Sequence, residues 1–314
     1  MTTPHTSPNT PSISPRVILA VSGGIDSMVL LDLTAKYFAE HKIPLSNLIV
    51  ASVDHGTRPS SADDLAFVAR QCEEYGVTLR ATALTLGPSP SESTARAARL
   101  KFFSDLQQEF NHAPIWTAHH LDDLVETVAI NLIRGTGWRG LTPLNDSDRR
   151  HPFLDGTFSG QIFSRRDILR YAATHEIKYR QDPTNYEETY LRNRIRAKIQ
   201  HLPDSQKRKI LPLYQSQIEL RAILESEAAE IIPATTNYPR QLFQTTDEKV
   251  ALELLHELLN RRHHLSQTRP QLQRVHEAIK TYATAKKFVL NADAYLEFSR
   301  SYFTIKTNPT KTPK

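Results

Sequence analysis

Apolar residues near the start of the chain fall in short unbroken runs, and near its end in helical stripes. Val17–Val21 is rich in β-branched residues and uninterrupted, as in a strand buried on both faces. Met28, Leu30, Leu31 and Leu33 continue it as a buried helix. Asn47–Gly56, Val77–Leu84 and Pro114–Ala118 read as further strands. Ser61–Tyr75, Ser91–Phe110 and His120–Ile133 read as helices. Ser61 suits an N-cap there, with Asp63 and Asp64 in the first turn. Strand and helix alternate four times, which predicts an α/β fold: a Rossmann-like parallel sheet with helices on both faces. Such sheets bind ligands at the carboxyl ends of their strands. Three polar clusters fall there: Ser22–Ser27, Asp54–Arg58 and His119–Asp123.

From Arg134 to Gly160 the pattern breaks into a loop-rich segment, with glycines at 135, 137, 140, 156 and 160. Long loops in compact domains are often functional. Ser164–His175 reads as a helix with Ser164 as its N-cap. Beyond Pro203 the pattern is mainly helical, over Ser205–Ile232, Thr246–His264 and Arg269–Lys286. The strand-like stretches "KFVLN" and "YLEFSRSYFTIK", separated by Asn291, Ala292 and Asp293, predict a terminal β-hairpin. The expected organisation is a tail over 1–15, an α/β domain over 16–203, a smaller mainly helical domain over 204–306 and a frayed end over 307–314.

Composition narrows the setting. No apolar run approaches the roughly 20 residues of a membrane span. The first 15 residues hold no basic residue and no apolar core, so they read as a disordered tail rather than a secretory signal. Cys72 is the only cysteine in the 314 residues, which excludes an internal disulfide and fits a reducing, cytoplasmic setting. Charge is unevenly spread: residues 1–200 carry 22 basic and 22 acidic side chains, and residues 201–314 carry 17 and 12. Arg192–Lys209 holds seven basic residues against Asp204. A basic stripe suits a polyanion such as nucleic acid, and equally a solvated helix face.

The joint "SGGIDS", Ser22–Ser27, carries the most chemistry. Paired glycines let a ligand approach the main chain, and a helix N-terminus offers unpaired N–H groups that attract phosphate. Ser22 and Ser27 add hydroxyl donors. Asp26 would repel a phosphate unless a cation lay between them, so the group implies a phosphate site with Mg²⁺. Asp54 could take a metal or ribose, with His55 beside it, and Arg58 could take phosphate. Glu92, Arg96 and Arg99 share a helical face, from which the arginines would neutralise charge developing on phosphate. His119, Asp123 and Glu126 lie along one side of a helix start, where carboxylates beside a triphosphate hold Mg²⁺ or accept a proton. No second His/Cys cluster completes a zinc site with His119 and Asp123.

"SGGIDS" resembles the pyrophosphate loop of the PP-loop ATPases. Further blocks make the resemblance specific to their tRNA(Ile)-lysidine synthetase branch: "VDHGTR", "ESTARAARLKFF", "AHHLDDLVET", "RGTGWRGL", "HPFL", "DPTN" and "LRNRIR". They fall in the family's order over about residues 16–200. Two departures show: Leu100 stands where the family usually has an aromatic, and His151 where it usually has arginine.

The resemblance implies an enzyme that ligates L-lysine to C2 of the wobble cytidine in an isoleucine tRNA with a CAU anticodon. It implies ATP as co-substrate and an adenylated cytidine, with AMP and pyrophosphate as products. Ser22, Gly23, Gly24, Ile25, Asp26, Ser27, Asp54 and His55 are then expected to bind ATP. Asp26, Arg96, Arg99, His119, Asp123 and Glu126 are the candidate catalytic residues, with Asp26 and Asp123 holding Mg²⁺. The segment 134–141 would cover the site. Arg58, Arg192, Arg194, Arg196, Lys207, Arg208 and Lys209 are expected to bind tRNA. A homodimer is compatible with the sequence. The alternatives are another PP-loop adenylating tRNA-modification enzyme and a non-catalytic nucleotide-binding module.

Overall fold

The structure is a computed structural model that describes residues 16–54, 61–84, 92–145, 149–180 and 190–307. The chain divides into two compact units, residues 1–213 and 214–314.

The first unit alternates as its apolar pattern predicts. β1 (Val17–Ala20) leads to α1 (Ile25–Glu40), β2 (Leu48–Asp54) to α2 (Ser61–Tyr75), β3 (Thr78–Ala83) to α3 (Glu92–Glu109), and β4 (Ile115–Trp116) to α4 (Leu121–Ile133). A two-residue strand, β5 (Arg149–Arg150), precedes α5 (Arg165–Thr174), α6 (Tyr190–Ile199) and α7 (Asp204–Lys207). The sheet is wholly parallel in the order β3-β2-β1-β4-β5. The order turns back between β1 and β4, and ligands of such sheets bind at that turning point.

β1 shows why the run was unbroken. Val17 and Leu19 join the core on one face with Met28, Leu31, Phe38 and Trp116, while Ile18 joins Ile49, Leu106 and Ile115 on the other. The segment after α4 is anchored by aromatic packing, because Phe153, Phe158 and Phe163 are buried in the first of these cores. Ser164 caps α5, accepting the Asp167 N–H, as its position suggested.

Helix α6 has no counterpart in the sequence reading. Its apolar residues Leu191, Ile195 and Ile199 recur once per turn among arginines and pack on Val125 and Ile130 of α4.

The stripe expected over 205–232 is two helices, α7 and α8 (Ile210–Ile231). Pro212 cannot donate to the carbonyl of Arg208, so the helix starts afresh.

The second unit is built around Phe243, Leu255, Leu258, Val275, Ile279, Leu296 and Phe303, all buried. Its helices are the rest of α8, α9 (Arg240–Thr245), α10 (Glu248–Leu255), continued by wide turns over His256–Arg262, and α11 (Arg269–Thr281). The expected hairpin forms, and it is part of a four-stranded antiparallel sheet in the order β6-β9-β8-β7. Its strands are β6 (Tyr238–Pro239), β7 (Lys287–Val289), β8 (Ala294–Phe298) and β9 (Tyr302–Thr307). "YLEFSRSYFTIK" turns back on itself because Ser299 Oγ accepts the N–H groups of Ser301 and Tyr302, at 3.4 and 3.2 Å.

Candidate active site at the turning point of the sheet

The loop after β1 is shaped by its own hydroxyls. Ser22 N–H donates to Ser27 Oγ (3.2 Å), and Ser27 Oγ donates to the Gly24 carbonyl (2.9 Å). Gly23 has φ +83°, and a Cβ there would stand 3.3 Å from Val68 Cγ2. Gly24 is the N-cap of α1 and no side chain caps the helix, so its first N–H groups face outward unpaired by a cap. That cradle fits a phosphate group.

The loop opens on a cavity lined by Ser22, Gly24, Ile25, Asp26 and Ser27 from the first loop, Asp54 from β2 and Arg99 from α3. His119, Asp123 and Glu126 line it beyond β4, with Arg196 from α6. The structure thus brings together groups that lie 174 positions apart at most, from Ser22 to Arg196. Gly23 forms the turn behind them. His55 and Arg58 lie outside the described residues, as do the side chains of Glu92 and Arg96.

Two residues that the sequence did not single out as candidates organise this site. His120 is buried at the start of α4, with Nε2 3.4 Å from Asp123 and 3.7 Å from Asp26, so one imidazole is flanked by both carboxylates. Its backbone N–H donates to Asp123 Oδ2 (3.0 Å). Arg165, the first residue of α5, pairs with Asp26 through its guanidinium. Its N–H donates to Asp122 Oδ2 (2.8 Å). Nothing in local spacing announces Arg165, which reaches the site across 139 positions.

Burial alone would raise the Asp123 pKa, but His120, His119 and the His120 N–H hold it below its ordinary value. Asp123 is therefore ionised at neutral pH.

Among the described residues no three His, Cys, Asp or Glu side chains cluster to hold a metal. Mg²⁺ is commonly held by one or two carboxylates together with substrate phosphates. The oxygen donors of Asp26 and Asp123 beside the phosphate cradle fit that arrangement.

Several expected roles change. Glu126 is buried and its carboxylate accepts from Arg192 and, at 3.1 Å, from Arg196, so it anchors α6 to α4. The two arginines expected on tRNA are engaged there, while Arg194 is exposed on the same helix. Lys207 is 5% exposed and its ammonium pairs with Asp122 and, at 3.5 Å, with Asp204. It cannot meet tRNA phosphate without breaking that buried pair. Arg208 is half-buried on the Ile162 carbonyl (2.9 Å), and Lys209 is exposed. The glycine-rich segment 134–141 does not line the cavity. It folds on the end of α4, where Asn131 Nδ2 donates to the Gly140 carbonyl (3.1 Å).

His151 is buried, and desolvation first, then the neighbouring His119 and Arg149, push its pKa down to about 3. Between its ordinary value of 6.5 and about 3 the unfolded chain binds a proton that the folded chain refuses. Stability therefore rises with pH across that window, by up to about 1.4 kcal/mol per unit. Urea unfolding of wild type and His151→Phe at pH 7 and pH 5 checks this, and the variant should show the shallower acid loss.

A parallel sheet, an uncapped helix behind a glycine turn and carboxylates at the turning point define a nucleotide-loop α/β domain. The model of the PP-loop domain family matches residues 5–202, and the chain belongs to that family. It is similar to the tRNA(Ile)-lysidine synthases of Thermosipho africanus, 36% identical over 59% of this chain, and Enterococcus faecalis, 32% identical over 58%. The chain spans 43% and 39% of the length of those two relatives. It aligns with the tRNA(Ile)-lysidine synthase of Streptococcus gordonii at 28% identity over 95% of this chain and 68% of the relative. Among solved structures, the U34-tRNA thiolase NcsA from Methanococcus maripaludis superposes with a TM-score of 0.53 at 24% identity, over 65% of this chain and 72% of that one. That likeness is one of fold. Among the described residues no helix is long and apolar enough to cross a membrane.

Proposed function

We propose that the chain uses ATP to join L-lysine to C2 of the wobble cytidine of an isoleucine tRNA with a CAU anticodon. The observation that carries this is the uncapped start of α1, which opens on the same cavity as Asp26, Asp123 and Arg99. The similarity to tRNA(Ile)-lysidine synthases supplies the substrates.

In this reading the N–H groups of Ser22–Ser27 bind the pyrophosphate half of ATP. Asp26 and Asp123 would hold Mg²⁺, whose charge offsets that of the phosphates. The cytosine C2 oxygen attacks the α-phosphate and pyrophosphate leaves. The free amine of lysine then attacks C2 and AMP leaves. A lysine amine has a pKa near 10.4 in water, so it must shed a proton before attacking. Asp123, ionised at the cavity wall, pairs with the incoming ammonium and orients it. Arg99 and Arg165 face the charge that develops on phosphate. The adenylated cytidine is open to water, so the closed site must exclude it. Sulfur chemistry of the thiolase kind is disfavoured, because Cys72 is buried in the core away from this cavity.

Nucleoside mass spectrometry of isoleucine tRNA after incubation with ATP and lysine tests the proposal. Lysidine, with AMP and pyrophosphate in equal amounts, is the expected result. Pyrophosphate release without lysidine would point to another adenylating tRNA-modification enzyme. ATP binding with no tRNA-dependent turnover would point to a regulatory module.

The tRNA is held by exposed basic residues, including Arg194 and Lys209, and by the second unit. Phosphate contacts release counterions, so affinity falls with salt. Arg194→Gln with Lys209→Gln should reduce the salt slope of filter binding by up to about two charges' worth. An unchanged slope would make both side chains solvent-facing only.

A further inference from the structure

Two imidazoles and one hydroxyl meet beside the cavity in a way the reaction above does not use. Thr117 Oγ1 lies 2.7 Å from His119 Nδ1 and 2.7 Å from His151 Nδ1, and the two nitrogens are 3.3 Å apart. The rings stand edge to face, their centroids 5.0 Å apart. Thr117 and His119 line the cavity, whereas His151 is 5% exposed. The second nitrogen of His151, Nε2, is buried with no hydrogen-bond partner among the described residues.

A hydroxyl carries one proton, so Thr117 donates to one Nδ1 only. The other Nδ1 must bring its own proton, or two lone pairs would face each other. Two neutral imidazoles sharing this hydroxyl are therefore opposite tautomers. His151 is neutral across the working pH range, since burial holds its pKa near 3. Its buried Nε2 selects between the two arrangements. An unpaired acceptor in a core is met more often than an unpaired N–H, which points to a bare Nε2.

We infer that His151 carries its proton on Nδ1 and donates it to Thr117 Oγ1, which turns the Thr117 hydroxyl onto His119 Nδ1 and leaves the His119 proton on Nε2. His151 is then a positioning residue. His119 offers the cavity an N–H donor and not a base. Arg99 and Arg149 line the same cavity as the uncapped start of α1, so the fitting partner is an oxyanion. Naming that oxyanion a phosphate oxygen of ATP rests on the proposed reaction; the tautomer does not.

Long-range proton–nitrogen NMR of the full chain with ¹⁵N-labelled histidine reads the tautomers directly, with His119→Gln and His151→Asn assigning the signals. The expected spectrum has a bare Nδ1 and protonated Nε2 on His119, and the reverse on His151. A protonated Nδ1 on His119 overturns the inference. Turnover supplies a second arm. His151→Phe removes the Nδ1–H and should lower kcat about tenfold, the effect of one hydrogen bond, with KM for lysine unchanged. Asparagine presents an N–H where Nδ1–H stood, so His151→Asn should return to within about twofold of wild type. Equal losses in the two variants would show that His151 only fills space, and the inference would fall. If no lysidine forms with any chain, the spectrum still decides the tautomer, so the two failures are told apart.

Discussion

Asp26→Asn should stop pyrophosphate release while leaving the fold in place. The side chain is one-third exposed and is held by the guanidinium of Arg165, itself 40% exposed to water, and by His120, which also neighbours Asp122 and Asp123. Removing its charge strips one candidate Mg²⁺ ligand and leaves the loop geometry, which Ser22, Gly24 and Ser27 maintain among themselves. Loss of one electrostatic stabiliser in such a site costs about 10²–10³ in kcat. Stopped-flow pyrophosphate detection with circular dichroism measures both halves. Near-normal release with an intact spectrum would remove Asp26 from the mechanism.

The neighbouring carboxylates should part company under mutation. Asp122 accepts the ammonium of Lys207, which is almost wholly buried, and the N–H that starts α5. Asp122→Asn leaves that ammonium, among the described residues, only Asp204, at 3.5 Å, and should cost up to about 3 kcal/mol, lowering Tm by up to roughly 10 °C. Asp123 makes a helix-start bond to the His120 N–H that an asparagine oxygen can also accept. Asp123→Asn should therefore keep its Tm and lose about 10²-fold in turnover. Thermal melts beside turnover assays separate the two effects. A matched loss of stability in both variants would mean that Asp123 also is structural.

The contrast between these two residues marks how far the sequence could be read. The strands and helices of the first unit were legible because each buries a continuous or periodic apolar set, as Val17–Ala20 does on both faces. The loop at Ser22–Ser27 was legible because its chemistry is local. The i, i+4 spacing from His119 set Asp123 apart from Asp122 on paper, but the part Asp122 plays instead depends on Lys207, 85 positions away. A separation of 139 positions from Asp26 hid Arg165. Distance along the chain also made Lys207 pass for a surface charge, because a basic run looks the same whether its members face water or a buried carboxylate. The four-stranded sheet of the second unit was half visible: β7–β9 have strand-like composition, but the two-residue β6 is too short to show any period.

The hold of Lys207 on Asp122 also limits where this domain can be joined to others. A chain cut after Pro203 would lose Lys207 and Asp204 together, leaving Asp122 hydrogen-bonded, among the described residues, only to the Arg165 N–H and the Ser164 hydroxyl only to Asp167. A fusion or exchange at that point would hand the new neighbour a damaged α/β half. Among the described residues, the first unit's own network runs on to Arg208, which holds Asp167 and the Ile162 carbonyl. Gene fusions and laboratory chimeras that retain activity should therefore carry the first thirteen or so residues past 200 along with the α/β domain, whatever follows them.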